Sequence, residues 1–234
     1  MNKAITKTIA FDVYGTLIDT HGLIEMLEHH VGVNAFVFSQ LWRQKQLEYS
    51  FRRGLMKKYR DFSVCTAQAL EYTSLSFGVS LTQMETQTLL DAYQVLPIFE
   101  DVAEGLELVK NAGFRLYAFS NGKATDIAQL LKESNISRFF IDIISVDEVQ
   151  SFKPDPIVYQ HFLRKSNASG SNAWMVSSNP FDVIGAVSAG MQSVWVQRSP
   201  KLLMDPWEIA PTVTINGFGD LVHAISNYPK KSPC

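Results

Sequence analysis

Only two cysteines occur in 234 residues, Cys65 and Cys234. That is no disulfide framework, and the spacing fits no zinc site. The fold therefore rests on an apolar core, and a reducing compartment is expected. Net charge is also scarce: 21 Lys and Arg face 23 Asp and Glu. Nucleic-acid or anionic-membrane partners favour a basic excess, so neither is expected. The local basic run Arg52, Arg53, Lys57, Lys58 and Arg60 reads as a solvated helix face. The N-terminal apolar stretch is far too short to span a bilayer. Charges break up the short apolar stretch in MNKAITKTIAFD, which is no signal-peptide core, and the cytoplasm is the expected location. No internal repeat stands out. What is plentiful is apolar side chain, 46% of residues. At this length that suits one large domain, or a core with a smaller companion.

KTIAFD, ending at Asp12, reads as a short buried strand followed by a turn. From about Gly22 to Leu96 the texture is helical. Leu23, Met26, Leu27 and His30 share one face, and Leu41, Lys45, Tyr49 and Leu55 mark a second amphipathic stretch. Cys65 to Leu75 and Met84 to Leu96 predict two further helices. After Pro97 strand and helix alternate. Strands are expected at Phe114–Phe119, Phe140–Ser145, Ala173–Ser177, Gln192–Val196 and Val213–Ile215. Helices are expected at Asp101–Ala112, Thr125–Ser134, Pro154–Lys165, after Ser-Asn-Pro up to Gly190, and near Asp220–Ile225. The tail from Tyr228 to Cys234 reads as a frayed end. Alternation of this kind builds a parallel sheet covered by helices, so the fold class is α/β with a Rossmann-like core. The core comprises residues 1–19 and 98–234, and a helical-bundle insertion spans 20–97. An insertion after the first strand can close over the sheet's carboxyl edge, where such sheets bind ligands.

The chemically capable residues follow predicted strands: Asp12, Ser120, Lys153, and Ser177 to Asp182. Alone, each is an ordinary turn residue. Four loops carrying an acid, a hydroxyl–amide pair, a lysine and a second acid to one sheet edge form a candidate site.

These segments resemble the four motifs of the haloacid dehalogenase superfamily, in order: FDVYGTLID (Phe11 to Asp19), SNG (Ser120 to Gly122), SFKPDPIVY (Ser151 to Tyr159) and SSNPFDVIGA (Ser177 to Ala186). Magnesium-dependent phosphatases of the superfamily carry a general acid two residues after the nucleophile. Tyr14 stands there. Around Asn179 and Asp182, Ser177 and Ser178 are neutral where acids hold the metal, and a hard dication wants several anionic oxygens. The variant resembles the (S)-2-haloacid dehalogenase branch, as do LWRQKQLEYS (Leu41 to Ser50) and YRDF (Tyr59 to Phe62).

The resemblance implies a hydrolytic dehalogenase acting on a small 2-haloacid, with halide as product, no metal or other cofactor, and a homodimer. Asp12 would displace halide from C2 and form an ester, because a carboxylate needs no base to become nucleophilic. Arg43 and Asn121, beside Phe181, would receive the halide. Ser120 and nearby backbone N–H groups would hold the substrate carboxylate. Tyr14, Leu47, Phe62 and Phe181 would wall the alkyl side. Water would then cleave the ester, with Asp182 as the base that takes its proton and Lys153 and Asn179 orienting it; which of the coupled pair Asp182 and Lys153 holds the proton stays open. Thr16, Ser177 and Tyr159 would hold Asp12, its loop and Lys153. Two other readings use the same residues: a magnesium-dependent phosphatase or phosphonatase-type hydrolase, or a catalytically silent scaffold. Kinship of fold does not choose among them.

Overall fold

Every residue of the first strand, β1 (Thr8–Phe11), is buried. A parallel strand covered on both faces reads as an apolar run for that reason. The computed structural model describes residues 6–228. In it β1 joins β2 (Arg115–Ser120), β3 (Asp142–Ser145), β4 (Ala173–Ser177), β5 (Gln192–Val196) and β6 (Val213–Ile215) in one sheet, ordered β3-β2-β1-β4-β5-β6. All pairings are parallel. The chain winds outward from β1 in one direction and from β4 in the other. That order reverses between β1 and β4, and such a switch point opens a crevice at the strands' carboxyl ends.

Four helices intervene between β1 and β2's approach: α1 (Ile24–Val31), α2 (Ala35–Leu55), α3 (Phe62–Ser76) and α4 (Gln83–Tyr93). At about 1.5 Å per residue α2 runs roughly 30 Å, and α3 packs along it. A capping box starts α4: the Glu85 N–H donates to Thr82 Oγ1 and the Thr82 N–H to Glu85 Oε2. The chain leaves and re-enters the sheet region side by side. The Asp19 N–H donates to Pro97 O at 2.8 Å and the Phe99 N–H to Leu17 O at 3.1 Å. The core helices are α5 (Val102–Asn111), α6 (Ala124–Glu133), α7 (Pro156–Ser166), α8 (Pro180–Ser188) and α9 (Leu221–Ser226).

Several expectations need correcting. The buried face of α2 is Phe38, Trp42, Gln46, Ser50 and Gly54, not Leu41, Lys45, Tyr49 and Leu55; Leu55 is 84% exposed. Charged neighbours concealed the stripe because three of its members are polar or lack a side chain. Helix α7 starts at Pro156, with Asp155 as N-cap accepting from the Ile157 N–H, so Pro154 belongs to the preceding turn. Ser120 closes β2 instead of following it. Tyr228 is not frayed: its ring meets Trp174 edge-on at 5.4 Å. Cys234 and the rest of that tail lie outside the described residues. Among the described residues no helix is long and apolar enough to cross a membrane.

Candidate active site

Sheet pairing sets the site's first contact. Phe11 is in register with Val176, and the Asp12 N–H continues the ladder to Val176 O at 3.0 Å. Asp12 and Ser177 therefore leave adjacent strands together at the switch point. Gly15, at φ +85°, turns the chain back immediately, a conformation that suits glycine. Thr16 thus returns to the carboxylate. Asp12 Oδ2 accepts from Thr16 Oγ1 (2.8 Å), Ser177 Oγ (3.0 Å) and Asn179 Nδ2 (2.6 Å). Asp12 Oδ1 accepts from Lys153 Nζ alone, at 3.1 Å. One oxygen is saturated and the other retains lone-pair capacity.

Lys153 is 1% exposed. Its Nζ donates to Asp12 Oδ1, to Phe119 O (2.9 Å) and to Asp182 Oδ2 (2.8 Å). An ammonium has three N–H donors, and each has an acceptor. Burial of the charge is tolerable because it is paired and fully hydrogen-bonded. Asp182 is wholly buried, and that burial pushes its carboxyl up to about 6; the Asp12 charge adds to the rise and Lys153 opposes it. Its Oδ1 accepts from the Tyr159 hydroxyl at 2.9 Å. Burial, then the Asp182 charge, holds that hydroxyl well above the usual tyrosine range, so Tyr159 stays a donor.

Two expected roles change here. Tyr159 reaches Asp182, not Lys153. The Asn179 amide holds Asp12 and the Tyr14 carbonyl (3.0 Å), and does not orient Asp182. The reason is placement: Asn179 is the N-cap of α8, facing β1's loop, while Asp182 lies one turn inside and faces α7.

The second loop is tied to the third. Asn121 Oδ1 accepts from the Lys153 N–H at 3.0 Å, which leaves its Nδ2 hydrogens for another acceptor. Ser120 is buried, and its Oγ accepts from the Gly122 N–H at 3.1 Å, so its hydroxyl hydrogen is available to a ligand. Ser145 Oγ secures the turn by donating to Gly122 O at 2.7 Å.

Helix α2 brings Arg43 over the same edge, where Nη2 donates to Tyr14 O at 3.2 Å. The Tyr14 ring lies 5.9 Å from Phe62 and 5.6 Å from Tyr93. Burial raises the Tyr14 hydroxyl above its ordinary value. Tyr14 and Phe62 also border a cavity of about 260 Å³ that reaches Gly122. Leu47 is half-buried against the core. The Phe181 ring packs on Phe51 of α2 at 5.0 Å and borders a larger apolar cleft of about 600 Å³ that Lys153, Phe152 and Trp207 also line. Sequence reasoning missed Gln46, which accepts from Arg43, and Tyr93, whose hydroxyl donates to Gln46. The available signal was spacing, since Gln46 interrupts the apolar stripe Phe38, Trp42 at one further step of four.

The donor set does not fit a divalent cation. The position between the two carboxylates belongs to the Lys153 ammonium, and the hydroxyl and amide neighbours aim hydrogens at Asp12. Among the described residues no group of three or more His, Cys, Asp or Glu is placed to hold a metal ion.

The chain is similar to known proteins over most of its length. Residues 6–190 match the model of the haloacid dehalogenase-like hydrolases. An (S)-2-haloacid dehalogenase of Pseudomonas putida is 35% identical over 219 residues, covering 94% of this chain and 96% of that protein. The (S)-2-haloacid dehalogenase 1 of Pseudomonas sp. (strain CBS-3) is 37% identical over 195 residues, covering 83% and 86%. The structure is similar to that of the L-2-haloacid dehalogenase of Xanthobacter autotrophicus with chloropropionic acid covalently bound. The TM-score is 0.90 at 28% identity, covering 96% of this chain and 100% of that one.

Proposed function

This chain belongs to the haloacid dehalogenase-like hydrolases, and from that membership we propose that it hydrolyses short (S)-2-haloalkanoic acids to (R)-2-hydroxyalkanoic acids without a metal. The observation that carries the reading is the Lys153 ammonium bridging Asp12 and Asp182. It supplies the positive charge that a metal would otherwise bring. The second support is Tyr14, a buried phenol where a phosphatase needs an acid.

Asp12 Oδ1, the less occupied oxygen, attacks C2 from behind the halogen. Three donors pin Oδ2, so the carboxylate is held in one orientation, and that alignment removes much of the entropic barrier. Halide departs toward Arg43 and the free Nδ2 hydrogens of Asn121. Ser120 and the backbone N–H groups of its turn hold the substrate carboxylate. Tyr14, Phe62 and Leu47 bound the alkyl side, and Phe181 walls the neighbouring cleft.

In the resulting ester Oδ2 becomes the carbonyl oxygen. Thr16, Ser177 and Asn179 already point hydrogens at it. They stabilise the oxyanion that forms when water adds, as preorganised donors do. Asp182 takes the water's proton. With all three N–H bonds engaged, Lys153 has no lone pair for that task. Water attacks the ester carbon and not C2; the Cγ–Oδ1 bond then breaks, Oδ1 leaves on C2 as the product hydroxyl with the proton returned by Asp182, and only one inversion occurs.

The division into a core of residues 1–19 and 98–234 and a cap of residues 20–97 belongs to the same proposal. So do a cytoplasmic location and a homodimer, for which exposed Leu55 at the end of α2, Met56 just after it and Leu75 on α3 offer apolar surface. The test is chloride release from (S)-2-chloropropionate by EDTA-treated protein. Release equal to that of untreated protein is expected. Folded protein that releases none, or that hydrolyses a phosphate ester only when EDTA is absent, contradicts the proposal.

A further inference from the structure

Arg43 does not hold itself in place. One turn further along α2 lies Gln46, a fully buried amide on a helix face otherwise made of Phe38, Trp42, Ser50 and Gly54. Burying an amide is unfavourable unless its hydrogen bonds are made. Here they are. Gln46 Oε1 accepts from Arg43 Nη1 at 2.6 Å and from the Tyr93 hydroxyl at 3.0 Å. Gln46 Nε2 donates to Thr66 Oγ1 at 2.6 Å. The Thr66 hydroxyl hydrogen is already committed to Phe62 O at 2.9 Å, so toward Gln46 it can only accept. That fixes which way the amide faces: nitrogen to Thr66, oxygen to Arg43. Three helices thus cooperate, with Gln46 on α2, Thr66 on α3 and Tyr93 on α4.

The guanidinium is held at two points, Nη1 by Gln46 and Nη2 by the Tyr14 carbonyl. A guanidinium has five N–H donors, and these contacts leave the others for a ligand. Both anchors are neutral. A carboxylate in place of Gln46 would form a charge-paired fork with arginine and offset the positive charge that a departing anion needs. An apolar residue would strand the Tyr93 hydroxyl and free the guanidinium to swing.

We propose that Gln46 is a positioning residue that aims Arg43 at the leaving halide while leaving its charge uncancelled. The inference rests on the dehalogenase reading and on Arg43 as the halide's receiver.

The test compares wild type, Gln46→Glu and Gln46→Leu on (S)-2-chloropropionate and (S)-2-bromopropionate. The readout is kcat/KM for halide release, which reports carbon–halogen cleavage, alongside Tm. Chloride is the poorer leaving group and depends more on Arg43. Both variants are expected to lose about tenfold or more on the chloro substrate, an effect the size of one decade in rate, and distinctly less on the bromo substrate. Gln46→Glu retains acceptors for Arg43 and Tyr93, so it reads the charge effect if Gln46→Leu fails to fold. A merely structural role lowers both substrates equally. In an Arg43→Lys background, Gln46→Glu is expected to leave the chloro-to-bromo ratio unmoved. Active wild type with an unchanged ratio in folded Gln46→Glu overturns the inference alone. Wild type that releases neither halide overturns the dehalogenase reading and the inference with it.

Discussion

Asp182 carries a pH signature because burial lifts its carboxyl from 3.8 to about 6. As a base it must be ionised, so ester hydrolysis is expected to weaken as pH falls through about 6, which a pH profile of kcat checks. Asp182→Asn is expected to lower kcat by about 10²–10⁴-fold, the usual worth of a positioned base, and to accumulate an ester on Asp12 visible by peptide mass. Stability moves the opposite way. Between the unfolded and folded values, the folded state binds more protons, so stability from this group is full below about 4 and is lost as pH rises through about 6. The difference in Tm between wild type and Asp182→Asn across that window isolates the effect from the other carboxyls. Asp19, Asp61 and Asp155 are held below their ordinary values, Asp19 by its His21 hydrogen bonds, Asp61 by Ser63 and Lys123, and Asp155 by Lys57 and Ser151, all against burial. Lys153→Met leaves two buried carboxylates without their cation, and a loss of about 3–5 kcal/mol in denaturant unfolding is expected.

Between elements, two glycines separate function from packing. Helices α7 and α8 touch at Gly185, where a Cβ would lie 2.4 Å from the Tyr159 hydroxyl oxygen. Gly185→Ala must move the phenol that holds Asp182. Gly105 of α5 lies as close to Phe218, whose Cβ would be 2.3 Å away, but Phe218 packs on Phe11 and does not hold Asp182. Both substitutions overpack the core and are expected to cost about 1–3 kcal/mol. Only Gly185→Ala is expected to lower kcat beyond the loss of folded protein; equal activities per folded molecule would contradict the coupling. The core elements were legible because parallel strands are apolar runs ended by turns: Ala173–Ser177, Gln192–Val196 and Val213–Ile215 agree with expectation at both ends. The face of α2 was not, because its buried stripe includes Gln46, Ser50 and Gly54, which periodicity counts as surface.

For the molecule as a whole, the link between α2 and α3 lies across the sheet's loops. Lys57 pairs with Asp155 at 2.9 Å, Tyr59 donates to Asp147 at 2.7 Å, and Asp61 pairs with Lys123 at 3.1 Å. Lys57, Tyr59 and Asp61 all reach the core, and their partners flank the loops bearing Lys153 and Asn121. The ion pairs are exposed and screened, so Lys57→Met is expected to change stability by less than about 1 kcal/mol. The Tyr59 bond is more sheltered, and its ring lies tilted against Phe152 at 4.9 Å. Tyr59→Phe is expected to cost about 1 kcal/mol, measured by denaturant unfolding. At this scale the four motif loops were legible as convergent, since residues after parallel strands share one edge. Partner choice was not. That Asn179 serves Asp12 and Tyr159 serves Asp182 depends on where each side chain sits on α8 and α7, which no spacing rule supplies. The roles of Gln46, Thr66 and Tyr93 arise from three helices meeting, and none is near another in sequence.

The most direct measurement is a single turnover in ¹⁸O-water with enzyme in excess of (S)-2-chloropropionate, followed by mass spectrometry of the Asp12 peptide and the product. Attack by Asp12 on C2 places the label in the Asp12 carboxylate and leaves the first 2-hydroxyacid unlabelled. Label in the product with an unlabelled Asp12 would mean that water itself displaces the halide, and the covalent role given to Asp12 would be wrong.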